Sequence, residues 1–306
     1  MALLANFRVY RSLQAIPTFG ISRSFSTSKR NNVPVQLESL HFKPEISSNT
    51  RAIPTVLIVH GLLGAKENWR AIGKMLSKQL QTDVHSLDLR NHGSSPHITE
   101  MTYSAMAQDL IEFIEKKNLK EVALVGHSMG GRVAMTTAFN YKSKISSLVL
   151  VDVAPNSPSV IDTFRKYIES MKRAEEKGVD SLSSANDILK ESCSVESIRQ
   201  FLLTNLKRDH STGKYSFRIP LDILLSNLET LKQFHPVVGK ENFTKPTLCI
   251  AGSRSNYVKP DQYEVIRQYF PNIEFEVVDT GHWVQAESPR EFVRILTKFL
   301  NEQYIN

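Results

Sequence analysis

Ser128 stands between two glycines in Gly126-His127-Ser128-Met129-Gly130. The apolar run Val122 to Val125 precedes it, of the kind that fills a strand buried on both faces. Arg132 to Phe139, after it, has the composition of a helix. Strand, tight turn and helix with a serine at the turn form a nucleophile elbow. The turn holds the hydroxyl clear of the backbone, and the flanking glycines leave room for the neighbouring strand and helix. The helix N-terminus turns its partial positive charge toward the reacting atom.

A serine hydroxyl becomes a useful nucleophile only when a base removes its proton. His282, in Asp279-Thr280-Gly281-His282-Trp283, follows the last strand-like run and precedes the last helix, where such a base is expected. The imidazole in turn needs a carboxylate to fix its tautomer. The usual place is the loop Gly252-Ser253-Arg254-Ser255-Asn256-Tyr257-Val258, but Ser255 stands where the acid would be. Asp152 closes the preceding strand, one strand away on the same edge, and is the leading candidate; Asp222 is the alternative. A tetrahedral intermediate needs two backbone N–H donors. Position assigns these to Met129, after the nucleophile, and to Leu62, in His60-Gly61-Leu62-Leu63-Gly64.

The elements that must position these groups alternate. Val35 to Phe42 reads as an edge hairpin or strand, and Thr55 to Val59 as a buried strand. Trp69, Ile72, Met75, Leu76 and Leu80 mark one face of a helix, and Val84 to Leu89 is a strand. Tyr103, Met106, Leu110, Phe113 and Ile114 mark a helix that Thr102 can cap. Ser147 to Val153, Pro246 to Ala251 and Ile273 to Val278 are further strands. Pro289 to about Leu300 is a closing helix, with Ser288 and Glu291 at capping-box spacing. This alternation predicts an α/β protein with a mostly parallel sheet covered by helices on both faces. From Ala154 to about Lys245 the rhythm gives way to long amphipathic stretches, read as a helical cap inserted into the sheet domain.

The net charge of +7 does not point to nucleic acid, because residues 1–32 hold five cations and no acid, leaving +2 on the rest. That segment is also rich in serine, with apolar residues among its arginines, the composition of a mitochondrial transit peptide. A folded domain over 33–306 and a mitochondrial location, the matrix in particular, are therefore expected. No apolar run is long enough to span a membrane, and two cysteines cannot make a disulfide framework. Histidines 60, 85, 97, 210 and 235 lack metal-ligand spacing. No Walker loop or dinucleotide fingerprint is present, so neither metal nor cofactor is expected.

Taken with Asp88-Leu89-Arg90-Asn91-His92-Gly93-Ser94-Ser95-Pro96 and Val151-Asp152, these motifs resemble the mitochondrial α/β-hydrolases. That group includes alpha/beta-hydrolase domain-containing protein eleven and the yeast ethanol acetyltransferases, with small bacterial esterases more distant. The resemblance covers about Val35 to Leu300. It implies the α/β-hydrolase fold, with the helical cap after the sixth strand, and a strand-end aspartate at the place of Asp152 as the acid. It also implies one acyl-enzyme with two outcomes. Water would release a free acid from an ester, acylglycerol or thioester; an alcohol would release an ester, with acetyl-CoA as donor. Ester hydrolysis is the leading expectation, and a non-catalytic binding protein on the same fold is the third.

Overall fold

The computed structural model describes residues 33–45, 53–209, 211–236 and 240–305. The proposed leader (1–32) and His210 lie outside the described residues. In chain order, β1 (Ser39–Phe42), β2 (Thr55–Val59), α1 (Arg70–Leu80), β3 (Val84–Leu87), α2 (Tyr103–Lys116), β4 (Val122–His127), α3 (Met129–Asn140) and β5 (Ile145–Val151) make the first half. An insertion follows, built of α4 (Ile161–Glu176), α5 (Leu182–Lys190), α6 (Glu196–Leu203), β6 (Leu206–Arg208), β7 (Tyr215–Phe217) and α7 (Leu221–Lys232). The chain then returns through β8 (Thr247–Gly252), α8 (Tyr263–Tyr269), β9 (Ile273–Val278), α9 (Val284–Glu287) and α10 (Pro289–Tyr304).

Seven strands form one sheet in the order β1-β3-β2-β4-β5-β8-β9. Only the β1–β3 pairing is antiparallel. Apart from Thr55, every residue of β2, β3, β4 and β5 is buried, as a strand covered on both faces requires. The pleat sends alternate side chains to opposite faces. Leu57, Leu124, Leu148 and Leu150 pack on one side with Met106, Leu110 and Val133 of α2 and α3. Val56, Ile58, Val125 and Val149 pack on the other with Ile72 and Leu76 of α1 and Phe292 and Leu296 of α10. The parallel register then brings the strand ends level: His127 lies opposite Val151, Val151 opposite Ile250, and Gly252 opposite Val278.

Three expectations change in detail. The edge segment supplies a single strand, β1, so among the described residues the insertion follows the fifth strand and not a sixth. The insertion also includes the antiparallel pair β6–β7, so it is not helical throughout. Ser288 precedes α10, but its side chain makes no cap bond, because the same residue ends α9 with φ −135° and ψ 64°. Glu291 turns instead to Arg294, accepting from Nε at 2.8 Å. Thr102 does cap α2, its hydroxyl accepting from the N–H of Ala105 at 3.1 Å.

Candidate active site

At the end of β4 the backbone turns sharply. Ser128 has φ 53° and ψ −118°, a conformation that L-residues rarely adopt and that functional sites often store. Two glycines permit the turn. A Cβ on Gly126 would lie 2.5 Å from the carbonyl oxygen of Gly130, and one on Gly130 would lie 2.4 Å from that of His60. Any other residue would force β4, α3 and the loop after β2 apart.

Asp152 ends β5, also at positive φ (48°), and is fully buried. Its Oδ1 accepts the backbone N–H of Gly252 at 3.0 Å. Its Oδ2 accepts twice: from the hydroxyl of Ser255, and from Nδ1 of His282 at 2.7 Å. The carboxylate oxygen accepts, so Nδ1 is the donor, and in the neutral ring Nε2 then keeps its lone pair. Nε2 is buried without a hydrogen-bond partner among the described residues. His282 and Ser128 share the wall of one cavity of about 830 Å³. The Tyr257 ring lies flat on the imidazole, centroids 3.9 Å apart and planes within 14°. Asp222, the other candidate acid, is elsewhere: it is exposed in the first turn of α7 and pairs with Lys172.

Met129 begins α3 directly after Ser128, and Leu62 lies in the loop after β2, lining the same cavity. No hydrogen bond among the described residues engages either backbone N–H. The loop holding Leu62 is fixed from below. The N–H of Leu63 donates to Nε2 of His92 at 3.1 Å, and the N–H of Leu89 donates to Nε2 of His60, also at 3.1 Å. Burial holds both histidines below their usual range, His92 down to about 3, so each stays neutral and able to accept.

The chain matches the alpha/beta hydrolase fold family over residues 54–289. It is 34% identical to the sn-1-specific diacylglycerol lipase ABHD11 of Danio rerio, over 92% of this chain and 87% of that protein. It is 37% identical to a probable alcohol acetyltransferase of Saccharomyces cerevisiae, over 81% and 77% of the two chains. A marine microorganism esterase of known structure superposes with a TM-score of 0.76 at 29% identity, covering 87% of this chain and 99% of its own. This chain is an α/β-hydrolase.

As an α/β-hydrolase it holds two groups near the site, His127 and Asn205, whose roles the sequence did not show. His127 donates from Nε2 to the carbonyl of His282 at 3.0 Å, tying the residue before the nucleophile to the histidine loop. Burial drives its ring well below the usual range, so it stays neutral. Asn205, fully buried in the insertion, donates to the carbonyl of Leu63 at 2.8 Å. Neither position has a sequence signal beyond residue type. The loop after β3 behaves as a brace: Arg90 donates to both oxygens of Asp109 at 2.7 Å, and both residues are fully buried. Phe201 borders the cavity, whereas Leu202 and Leu224 belong to the packed core of the insertion. Among the described residues no cluster of three or more histidine, cysteine or acidic side chains could hold a metal ion, and no helix is long and apolar enough to cross a membrane.

Proposed function

We propose that the chain is a serine ester hydrolase working through an acyl-enzyme on Ser128. The observation that supports this is the 2.7 Å contact between Asp152 Oδ2 and His282 Nδ1, with Ser128 strained into its turn at φ 53° beside the same cavity. Asp152 fixes the tautomer, His282 Nε2 takes the serine proton, and Ser128 Oγ attacks the carbonyl carbon. Such contacts often tighten only when substrate is present. The N–H groups of Leu62 and Met129 receive the oxyanion, each worth on the order of a hundredfold in rate or more. His282 then protonates the leaving alcohol or thiol. Water, deprotonated by the same ring, releases the acid and restores Ser128.

Small acyl esters, acylglycerols and acyl-CoA thioesters fit this chemistry, and the lipase relative acts on an acylglycerol by name. A second reading, alcohol O-acyl transfer, is favoured by the acetyltransferase relative. The same acyl-enzyme serves both, and the outcome depends on whether an alcohol displaces water from the wide cavity. Residues 1–32 would direct the chain to mitochondria, most simply the matrix; a fusion of that segment to a fluorescent protein that stays in the cytosol would refute this.

The enzyme reading is tested with a fluorophosphonate probe. Ser128 should be labelled, and Ser128→Ala should abolish both labelling and turnover of ethyl pentanoate. A folded wild-type protein that takes no label would instead be a binding protein. Supplying acetyl-CoA with and without ethanol, and measuring ethyl acetate against free acetate, separates hydrolysis from transfer.

A further inference from the structure

Two cavities meet at Ser128. Besides the wide one, a smaller and tighter chamber is bounded by Leu62, Met129, Val153, Ile161 and Phe164, with Ser128 in its wall. Its lining is apolar except for Tyr103, Tyr257 and one charge, Arg132. Arg132 follows Ser128 by four residues on the elbow helix. It therefore lies on the same face, roughly 6 Å further along the axis.

The guanidinium is half-buried and held in place. It donates from Nη2 to the carbonyl of Ser157 at 3.0 Å and sits 5.5 Å from the centroid of the Phe234 ring. No carboxylate among the described residues forms an ion pair with it. Arg132 also borders an outer cleft of about 850 Å³, with Lys232 and His235. The acid on that cleft, Glu229, is already bound by Arg165 at 2.7 Å. A fixed cation thus divides the inner chamber from the surface, and among the described residues no carboxylate pairs with it.

A partly desolvated guanidinium lacking an anion is costly, and a carboxylate bound bidentately offsets that cost. A neutral alkyl tail would end against the charge and remove more of its solvent. The chamber therefore has a reacting carbonyl at one end and an anion receptor at the other, one helical turn apart. Resting on the acyl-enzyme reading, we propose that the acyl group is short and ends in a carboxylate, so that the substrate is a half-ester or half-thioester of a dicarboxylic acid. Ser128 Oγ bonds to the acyl carbon, the ester C–O or thioester C–S bond breaks, and the serine proton passes through His282 to the departing oxygen or sulfur. The distal carboxylate stays on Arg132 throughout. Water then breaks the Ser128 ester and frees the dicarboxylate.

The test compares monoethyl succinate with ethyl pentanoate and ethyl dodecanoate on the full chain, following released ethanol. Monoethyl succinate should have a kcat/KM roughly tenfold or more above ethyl pentanoate. Arg132→Gln should reverse that preference, and Arg132→Lys should retain part of it. A wild-type preference for either neutral ester overturns the proposal, and so does an unchanged ratio in Arg132→Gln that still takes the fluorophosphonate label on Ser128. If Arg132→Gln does not fold, the wild-type ratio and Arg132→Lys decide. Wild-type protein that takes no label and turns over no ester would refute the hydrolase reading itself, whereas labelled protein indifferent to the charge refutes only this assignment.

Discussion

Asp152 and His282 meet at 2.7 Å, Oδ2 against Nδ1, although 130 residues separate them. The contact exists because β5 and β8 are adjacent and parallel, so a carboxylate at the end of β5 reaches the imidazole that the loop after β9 swings back over the sheet. Ser255 occupies the neighbouring loop and gives its hydroxyl to the same oxygen. The acid has moved one strand, and the position without an acid has become its hydrogen-bond donor.

Asp152→Asn should therefore lower kcat by about a thousandfold or more, because an amide favours the wrong tautomer of His282. Asp222→Asn should leave kcat within about twofold, since an exposed ion pair to Lys172 contributes little. Rates on ethyl pentanoate for both variants, checked for folding by circular dichroism, decide the assignment. The reverse ranking would move the acid to Asp222.

Much of this arrangement is legible before any coordinates. Ser128 and His282 sit in motifs whose residue types are dictated by a tight turn and by a strand end. The missing acid at Ser255 redirects attention to the next strand end. Asn205 and His127 are harder to read. Each acts through one hydrogen bond to a backbone carbonyl far away in sequence, and nothing in the local pattern marks it. Arg132 looks like any helix residue until two cavities are found on either side of it. The β6–β7 pair leaves no mark in the sequence, because three-residue strands are too short to show alternation. The capping box at Ser288 failed because an additional short helix, α9, ends on that residue.

Asn205 links the insertion to the oxyanion loop through the Leu63 carbonyl. Asn205→Ala should leave that buried acceptor unpaired, at a cost of about 1–3 kcal/mol in stability. Because the loop beside it presents Leu62 N–H to the reacting centre, kcat should fall more than KM rises. Urea unfolding and steady-state kinetics on one ester measure both. A loss confined to KM would make Asn205 part of substrate binding instead.

Tyr257 lies flat against the imidazole of His282. The π-face favours the imidazolium that forms when Ser128 loses its proton, an effect of about 0.5–2 kcal/mol. Tyr257→Phe keeps the ring and should retain most of kcat. Tyr257→Ala should lower kcat roughly three- to thirtyfold. Equal losses in the two variants would assign the effect to the hydroxyl.

The buried neutral histidines, two under the oxyanion loop and His85 within β3, make a prediction about acid stability. Burial pushes His85 and His92 down to about 3, and His60 down as well. In the unfolded chain each accepts a proton near about 6.5. Between those limits the unfolded state binds more protons, so stability rises with pH across the window and is lost as pH falls through it. Above about 6.5 the contribution is complete, and below about 3 the loss stops growing. The free energy of urea unfolding should therefore drop by a few kcal/mol between pH 7 and pH 4.5, before most carboxylates titrate. His92→Gln can still accept from Leu63 N–H through its amide oxygen but cannot titrate. It should flatten part of the slope while lowering stability at pH 7 only modestly. A wild-type curve that stays level to pH 4.5 would mean that these rings do not stay neutral in the fold.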